Sequence, residues 1–473
     1  MSERTSAPPA SRRWVALGLI ALAQFMVIMD TSIIGVALPK MQESLGFSQE
    51  NLSWVFNAYV VVFGGLLLLG GKLSDILGAR RVFQAGWAIL GIGSLAAGLA
   101  SNAVVELIGR GVQGVGAALI APSALTLLVM VFGSNPKELT KAFAVYGAAA
   151  PAGGTAGVFL GGLITEYASW PWVFYINIPL ALVALIAAPA LLPDGAMAPH
   201  GSVDVLGALM ATLGLGAAVF AVVRAEWAAV STWVVLAAAA ALLAAFVVTQ
   251  ARRKDPLMPL AIFRAPDLGA ANLAQVLLGA AWVPMWFFLN LYLQQVLGYS
   301  AFPSGAALLP MTALIMIGMI ALSPKLFARF GARTMTVTGL LILAAGLGWL
   351  SFVRPEGNFW IDVLPGSLVA ALGMSLAFIP TLQTAISAAA PEEGGLASGI
   401  VNTGYQIGSA LGLAVATAIA AAAGAEELGD RAALTDGFSA AFIAAAVIAL
   451  GAAGLALATF RKSARRAEVT AGV

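Results

Sequence analysis

Gly71-Lys72-Leu73-Ser74-Asp75-Ile76-Leu77-Gly78-Ala79-Arg80-Arg81 is echoed by Lys325-Leu326-Phe327-Ala328-Arg329-Phe330-Gly331-Ala332-Arg333, at an offset of 253 residues from Lys72. A second pattern repeats at almost the same distance. Gly153, Gly157 and Gly161 return as Gly404, Gly408 and Gly412, an offset of 251. Two patterns sharing nearly one offset imply two halves of like architecture and like orientation. Around them the chain runs in apolar blocks of ~20 residues, the length a helix needs to cross a bilayer. Of the 473 residues, 60% are hydrophobic and 10% charged, where soluble domains carry about 25% charged. Mean hydropathy is +0.94. A membrane β-barrel would show alternating segments of ~10 residues instead. The expected class is an all-α integral membrane protein.

Fourteen apolar spans are expected, over 14–38, 52–69, 82–100, 104–131, 142–164, 173–192, 205–223, 233–249, 270–296, 305–322, 335–352, 361–382, 397–421 and 438–460. An even count puts both termini on one side. With that side cytoplasmic, nineteen of the 24 Lys and Arg lie inside; Lys40, Arg224, Arg354 and Arg431 lie outside, and Arg110 lies within a span. That bias supports both the orientation and the count. The repeat lays span 2 over span 10 and span 5 over span 13, a 6+2+6 arrangement. The implied divisions are a cytoplasmic tail 1–13, a six-helix half 14–192, two inserted helices within 193–254, a second half 255–460 and a tail 461–473. Parallel repeats about an axis along the membrane normal are a transporter architecture, with substrate sites near the midplane between the halves. Arg12, Arg13 and the apolar run after them read as an uncleaved first span, because the run is too long for a signal peptide and no small-residue cleavage site follows.

Within span 1, Phe25–Pro39 reads FMVIMDTSIIGVALP and places Asp30 in an apolar run. A charge there costs a few kcal/mol on insertion scales, which argues for a function. The alternative is that the helix ends near Met29 and Asp30 touches interfacial water. That would leave 14–29 as a span slightly short of the ~17–25 residues required. Arg110 falls at a similar depth in span 4 and is a candidate partner. Glu106, four residues before it on the same helix, could pair with it instead. The protein has no Cys and one His, His200, in a loop beside Pro199 and Gly201. Thiolate nucleophiles, disulfides, a Ser-His-Asp relay and a His-metal site in the membrane are thereby excluded, and an enzyme is not expected. No G-x-x-x-x-G-K-[ST] loop occurs, so energy must come from an ion or substrate gradient. Protonation of Asp30 could bias alternating access.

In the loop 71–81, Gly71 would allow close backbone approach, Gly78 a turn, and Asp75 is poorly placed at a helix C-terminus without a partner elsewhere. Arg80 and Arg81 would also serve a plain positive-inside loop. Gly153, Gly157 and Gly161 would let helices pack closely. Asn57, Tyr59, Gln113, Trp286, Asn290, Gln294 and Gln406 are candidates for an interior cavity.

The loop 71–81 resembles the cytoplasmic signature of the major facilitator superfamily. Asp30-Thr31 with Val36-Ala37-Leu38-Pro39, and Leu107-Ile108-Gly109-Arg110-Gly111-Val112-Gln113-Gly114-Val115-Gly116, are similar to the span 1 and span 4 signatures of its fourteen-helix drug:proton antiporter (QacA/EmrB-type) branch. Trp172–Pro179, Tyr292–Ser300 with Gly305 and Pro310, and Asn402-Thr403 with Gln406 and Gly408 fit the same branch. There are departures: Ile76 stands where a basic residue is usual, Val158 follows Gly157 in place of proline, and Pro171 and Tyr405 replace basic residues. The resemblance implies a major facilitator fold with two pseudo-symmetric halves. It implies proton-coupled efflux of lipophilic or amphipathic compounds, with Asp30 and Arg110 in coupling. Gly71, Asp75, Gly78, Arg80 and Arg81 would form a latch between the halves, and Gly153, Gly157 and Gly161 the antiporter helix. No cofactor beyond the proton gradient, no metal and no nucleic-acid partner are expected. A monomer in a bacterial cell (inner) membrane is expected, the question of a periplasmic adaptor staying open. The alternative reading is a dedicated proton-coupled exporter of one metabolite, antibiotic or lipid.

Overall fold

The computed structural model describes residues 10–194, 203–224, 229–265, 267–388 and 394–460. His200, residues 1–9 of the expected tail 1–13 and the expected tail 461–473 lie outside the described residues; residues 10–13 belong to the first helix. The long helices are α1 (Ala10–Leu45), α2 (Trp54–Leu77), α3 (Ala79–Gly98), α4 (Ala103–Phe132), α5 (Pro136–Tyr167), α6 (Asn177–Leu191), α7 (Val205–Val223) and α8 (Val230–Arg252). They continue as α9 (Leu268–Leu291), α10 (Ala301–Ala307), α11 (Leu309–Ile317), α12 (Ser323–Leu350), α13 (Leu364–Ala388), α14 (Gly394–Ala420) and α15 (Arg431–Thr459). One-turn helices cover Gln49–Leu52 and Trp172–Tyr175. Four single-turn π segments lie at Tyr292–Val296, Gly318–Leu322, Phe359–Val363 and Ala421–Ala425. There is no strand among the described residues.

α1 runs on past Pro39 to Leu45, so Asp30 sits inside the helix and not at its end. Among the described residues, twelve helical runs are long and apolar enough to cross a membrane, against the fourteen spans expected. The difference has two sources. α3, 20 residues long, is not among the twelve, and Ala301–Leu350 counts as one run of 50 residues. That run is broken at Gly331, with φ 76° and ψ 169°. Gly331 is the repeat partner of Gly78, which has φ 91° and turns the chain from α2 into α3. Each half therefore reverses at the same place in the repeat, through a backbone conformation that favours glycine.

The glycine triplets also do one job twice. A Cβ on Gly153, Gly157 or Gly161 would lie 2.3, 2.8 or 2.7 Å from the carbonyl oxygens of Phe25, Met29 or Ile33. These three glycines let α5 lie against α1. On α14, a Cβ on Gly404, Gly408 or Gly412 would lie 2.4, 1.8 or 2.3 Å from Asn272 Oδ1, Val276 O or Ala280 Cα on α9. α1–α6 pack as one bundle and α9–α15 as another. The bundles meet along α2 and α14, α1 and α9, and α5 with α10 and α11. α7 packs on both α2 and α14, and α8 packs behind it on α7. Asp204, 2% exposed, ties this pair together. It caps α7 at Gly207 N (2.9 Å), accepts from Gln250 Nε2 (2.7 Å) and pairs with Arg253 (3.3 Å).

Candidate functional site

α4 carries the groups that meet Asp30, and glycines seat it. A Cβ on Gly109 would fall 2.7 Å from Ala97 N, and one on Gly116 2.6 Å from Leu90 N, both on α3. A Cβ on Gly114 would fall 2.6 Å from Tyr59 O on α2. The Gly-rich pattern around Arg110 thus wedges α4 between its neighbours. Arg110 and Gln113, three residues apart, then share the face turned to α1.

Asp30 and Arg110 are both 0% exposed. Arg110 Nη1 donates to Asp30 Oδ2 at 2.6 Å and to Gln113 Oε1 at 2.8 Å, while its Nε donates to Val55 O at 2.9 Å. The other aspartate oxygen, Oδ1, accepts from Gln113 Nε2 (3.1 Å) and Asn177 Nδ2 (2.7 Å). Both amides also reach Ser94 Oγ, at 2.8 and 3.2 Å. Arg110 Cζ lies 4.6 Å from the Tyr59 ring centroid and 5.9 Å from that of Phe174. A carboxylate out of water is held here by one guanidinium, two amides and oriented dipoles, which a buried ion pair requires. Of the two partners left open for Arg110, the structure pairs it with Asp30. Glu106, in the first turn of α4, is fully enclosed, and neither of its oxygens has a hydrogen-bond partner.

A cavity of about 220 Å³ lies between the bundles. Val27, Ile28, Thr31 and Ser32 of α1 line it, facing away from the Asp30 cluster. Phe56, Phe63, Trp282, Phe378 and Tyr405 supply aromatic walls. Thr155, Thr312, Gln406 and Ser409 are among its few polar groups, and among the described residues no charged side chain lines it. Of the seven cavity candidates, Trp286 and Gln406 line this space. The other five do not. Gln113 is drawn into the Asp30 cluster, Tyr59 lies under Arg110, and Asn57 is buried with its amide unpartnered. Asn290 packs beside Gly35 and donates to Trp286 O (2.8 Å); Gln294 donates to Val36 O across the bundles at 3.0 Å. One polar periodicity on a helix does not separate a cavity wall from a seam between halves.

That seam closes one end. Gln49 Nε2 donates to Gln295 Oε1 (3.0 Å), Gln295 Nε2 to Gln42 Oε1 (3.0 Å), and Gln42 Nε2 to Gln49 Oε1 (2.9 Å). Where α5 meets α10, the close contacts involve Val158, Gly162 and Glu166, all in the last third of α5. At the other end, which carries the basic loops, Arg80 bonds to residues of its own half, while Lys72 reaches the segment after α8. Asp75 is exposed, and the charge acting on it is that of Lys72 on its own helix. Lys72 pairs with Asp255 at 2.5 Å. Arg80 pairs with Asp194 and donates to Leu192 O (3.1 Å), just past α6 in its own half, while Arg81 is exposed. Gly78 makes the expected turn. The close approach expected of Gly71 belongs to Gly70, where a Cβ would lie 2.0 Å from Ala118 O; at Gly71 it would meet Pro122 at an ordinary 3.8 Å.

Comparison with known proteins places this geometry among transporters. The family model described as Major Facilitator Superfamily matches residues 20–413 and 325–473. The chain is 38% identical over 446 residues to the cephamycin export protein CmcT of Amycolatopsis lactamdurans, covering 93% of this chain and 91% of that one. It is 36% identical over 451 residues to the puromycin resistance protein pur8 of Streptomyces alboniger, covering 94% and 90%. Among solved structures it resembles a proton dependent oligopeptide transporter (TM-score 0.66, 20% identity, 94% and 98% covered). It also resembles the human organic anion transporter MFSD10 (TM-score 0.65, 17% identity, 95% and 100% covered).

Proposed function

The chain belongs to the Major Facilitator Superfamily, and we propose that it is a proton-coupled efflux antiporter for lipophilic or amphipathic compounds. One observation carries this reading. α1 presents Asp30 to Arg110 on one face and lines the central cavity with Ile28, Thr31 and Ser32 on the other. Protonating Asp30 removes its charge, loosens its hold on Arg110, Gln113 and Asn177, and frees α1 to shift. The same shift reshapes the cavity wall. A ligand and a proton thus act on one helix from opposite sides, which is the differential interaction that alternating access needs. The relatives named for cephamycin export and puromycin resistance support the direction of transport.

The uncharged aromatic cavity fits substrates that bind without net charge. The chain supplies no cofactor chemistry; the gradient is the energy source. Counting α3 and dividing the 50-residue run at Gly331 makes fourteen membrane segments, read as 6+2+6, with α7 and α8 inserted between the halves. The positive-inside bias of the loops supports a bacterial inner-membrane protein with that end of the bundle and both termini in the cytoplasm, acting as a monomer. The glutamine seam then closes the outer side, and the cavity faces inward.

The test is Asp30→Asn in proteoliposomes. A proton gradient drives uphill efflux of a lipophilic dye by the parent and not by the variant; uphill efflux by the variant would overturn the assignment. A dedicated exporter of one antibiotic or metabolite is the second reading, favoured by the single-compound names of the relatives. A panel of neutral and cationic dyes separates the two, since only a multidrug exporter accepts several unrelated members.

A further inference from the structure

Two unsatisfied groups of opposite character sit one helical turn apart on α4. Glu106 is 0% exposed with both carboxyl oxygens unpartnered. Arg110, four residues on, has a buried Nη2 that also lacks a partner. A buried carboxylate with neither a cation nor a hydrogen-bond donor is prohibitively costly, so an acid so placed is neutral. The guanidinium of Arg110, one turn on along the same helix, is engaged by Asp30 through Nη1. The charged groups acting on Glu106 are Arg110 and Asp30. Around them α2 contributes Tyr59, whose hydroxyl is unpartnered, and α3 contributes Ser94. Asn177 faces the cluster from α6, and Tyr175 donates to Gly98 O on α3.

We propose that Glu106 and Asp30 share one proton, with Arg110 pairing to whichever of the two is ionised. Here the proton is on Glu106 and Arg110 holds Asp30. In the exchanged state the Glu106 O–H bond breaks, an O–H bond forms on Asp30, and Arg110 swings its pairing to Glu106. The trio keeps the same total charge, one guanidinium and one carboxylate, so the exchange moves no net charge in or out of the apolar interior. Glu106 stands in the first turn of α4, at the end away from the basic loops. It is therefore the station between the outer surface and Asp30. The proposal rests on Asp30 as the coupling acid, and adds Glu106 as its proton donor.

Infrared difference spectra of the purified full chain during pH titration test it without transport. The parent at neutral pH shows the carbonyl stretch of a protonated carboxylic acid, and Glu106→Gln loses it. Asp30→Asn loses it too, because Arg110 then pairs with Glu106 and ionises it. Glu106→Asp restores the band and proton-driven efflux, whereas Glu106→Gln abolishes uphill efflux. The proposal is overturned if the acid band survives in Glu106→Gln, if it is unchanged in Asp30→Asn, or if Glu106→Gln pumps uphill with the parent's pH profile. Uphill pumping by Asp30→Asn would instead overturn the underlying assignment of the coupling acid.

Discussion

Arg110 is the residue with most at stake, since it satisfies Asp30, Gln113 and the Val55 carbonyl at once. Arg110→Ala strands Asp30 in the interior, and breaking a buried pair this way costs about 3–5 kcal/mol. Thermal unfolding in detergent should show that loss, and Asp30→Asn added to Arg110→Ala should recover much of it. A double variant no more stable than Arg110→Ala would contradict the pairing. Arg110→Lys should also fail in uphill efflux, because one ammonium cannot reproduce a planar fork of donors. Asp30 and Arg110 were legible in the sequence because charge is rare in an apolar run and hence conspicuous. Ser94 and Asn177 complete the cluster but were not legible as members. Neutral polar side chains are cheap enough to occur throughout a helix bundle, and nothing in spacing tells which of them turn inward together. Glu106 was visible and does stand near the end of its span, but its burial was not legible, because depth counted from a span edge ignores enclosure by neighbouring helices.

Helices in this protein approach one another through glycine, and the contacts grade what a side chain would cost. Gly408→Leu drives a Cβ into the Val276 carbonyl at 1.8 Å and should prevent stable folding of the second bundle. Gly147→Ala on α5 meets nothing within 4 Å. It should be neutral or stabilise by up to about 1 kcal/mol through helix propensity. Expression and unfolding temperature of the two variants check this contrast. The inserted pair has its own device. Gln250 bridges from Asp204 to the backbone N–H groups of Leu257 and Met258, fixing the exit from α8. With α7 across α2 and α14, the pair acts as a strap over one seam between the bundles. The glycine triplets and the Gly78 and Gly331 turns were readable because backbone constraints leave their mark as glycine at fixed intervals. The strap was not, since apolar helices carry no label for their neighbours.

For the whole molecule, closure on the side away from the basic loops depends on the glutamine seam. The protein has no cysteine, so Gln49→Cys with Gln295→Cys introduces one unique pair. Oxidation should lock the halves as they stand and stop transport, and reduction should restore it. Full activity of the cross-linked protein would show that this end never opens. The two-half plan was legible from an offset between short motifs, whereas the cavity was not, because it is the space left where the halves fail to touch. A last asymmetry bears on how the two bundles tolerate change in length. All four described π segments fall between Tyr292 and Ala425, in the second bundle. A π turn holds one residue more than an α turn. Only Gly318–Leu322 has helix on both sides, and deleting a residue there returns the local ladder to α and leaves the flanking faces in phase. The same deletion in α1 or α4 would rotate everything beyond it by about 100°, one α-helical step, and would carry Asp30 or Arg110 off its partner. A one-residue gap within a helix among relatives is therefore expected at this turn of the second bundle rather than in α1 or α4, leaving the first bundle as the fixed gauge.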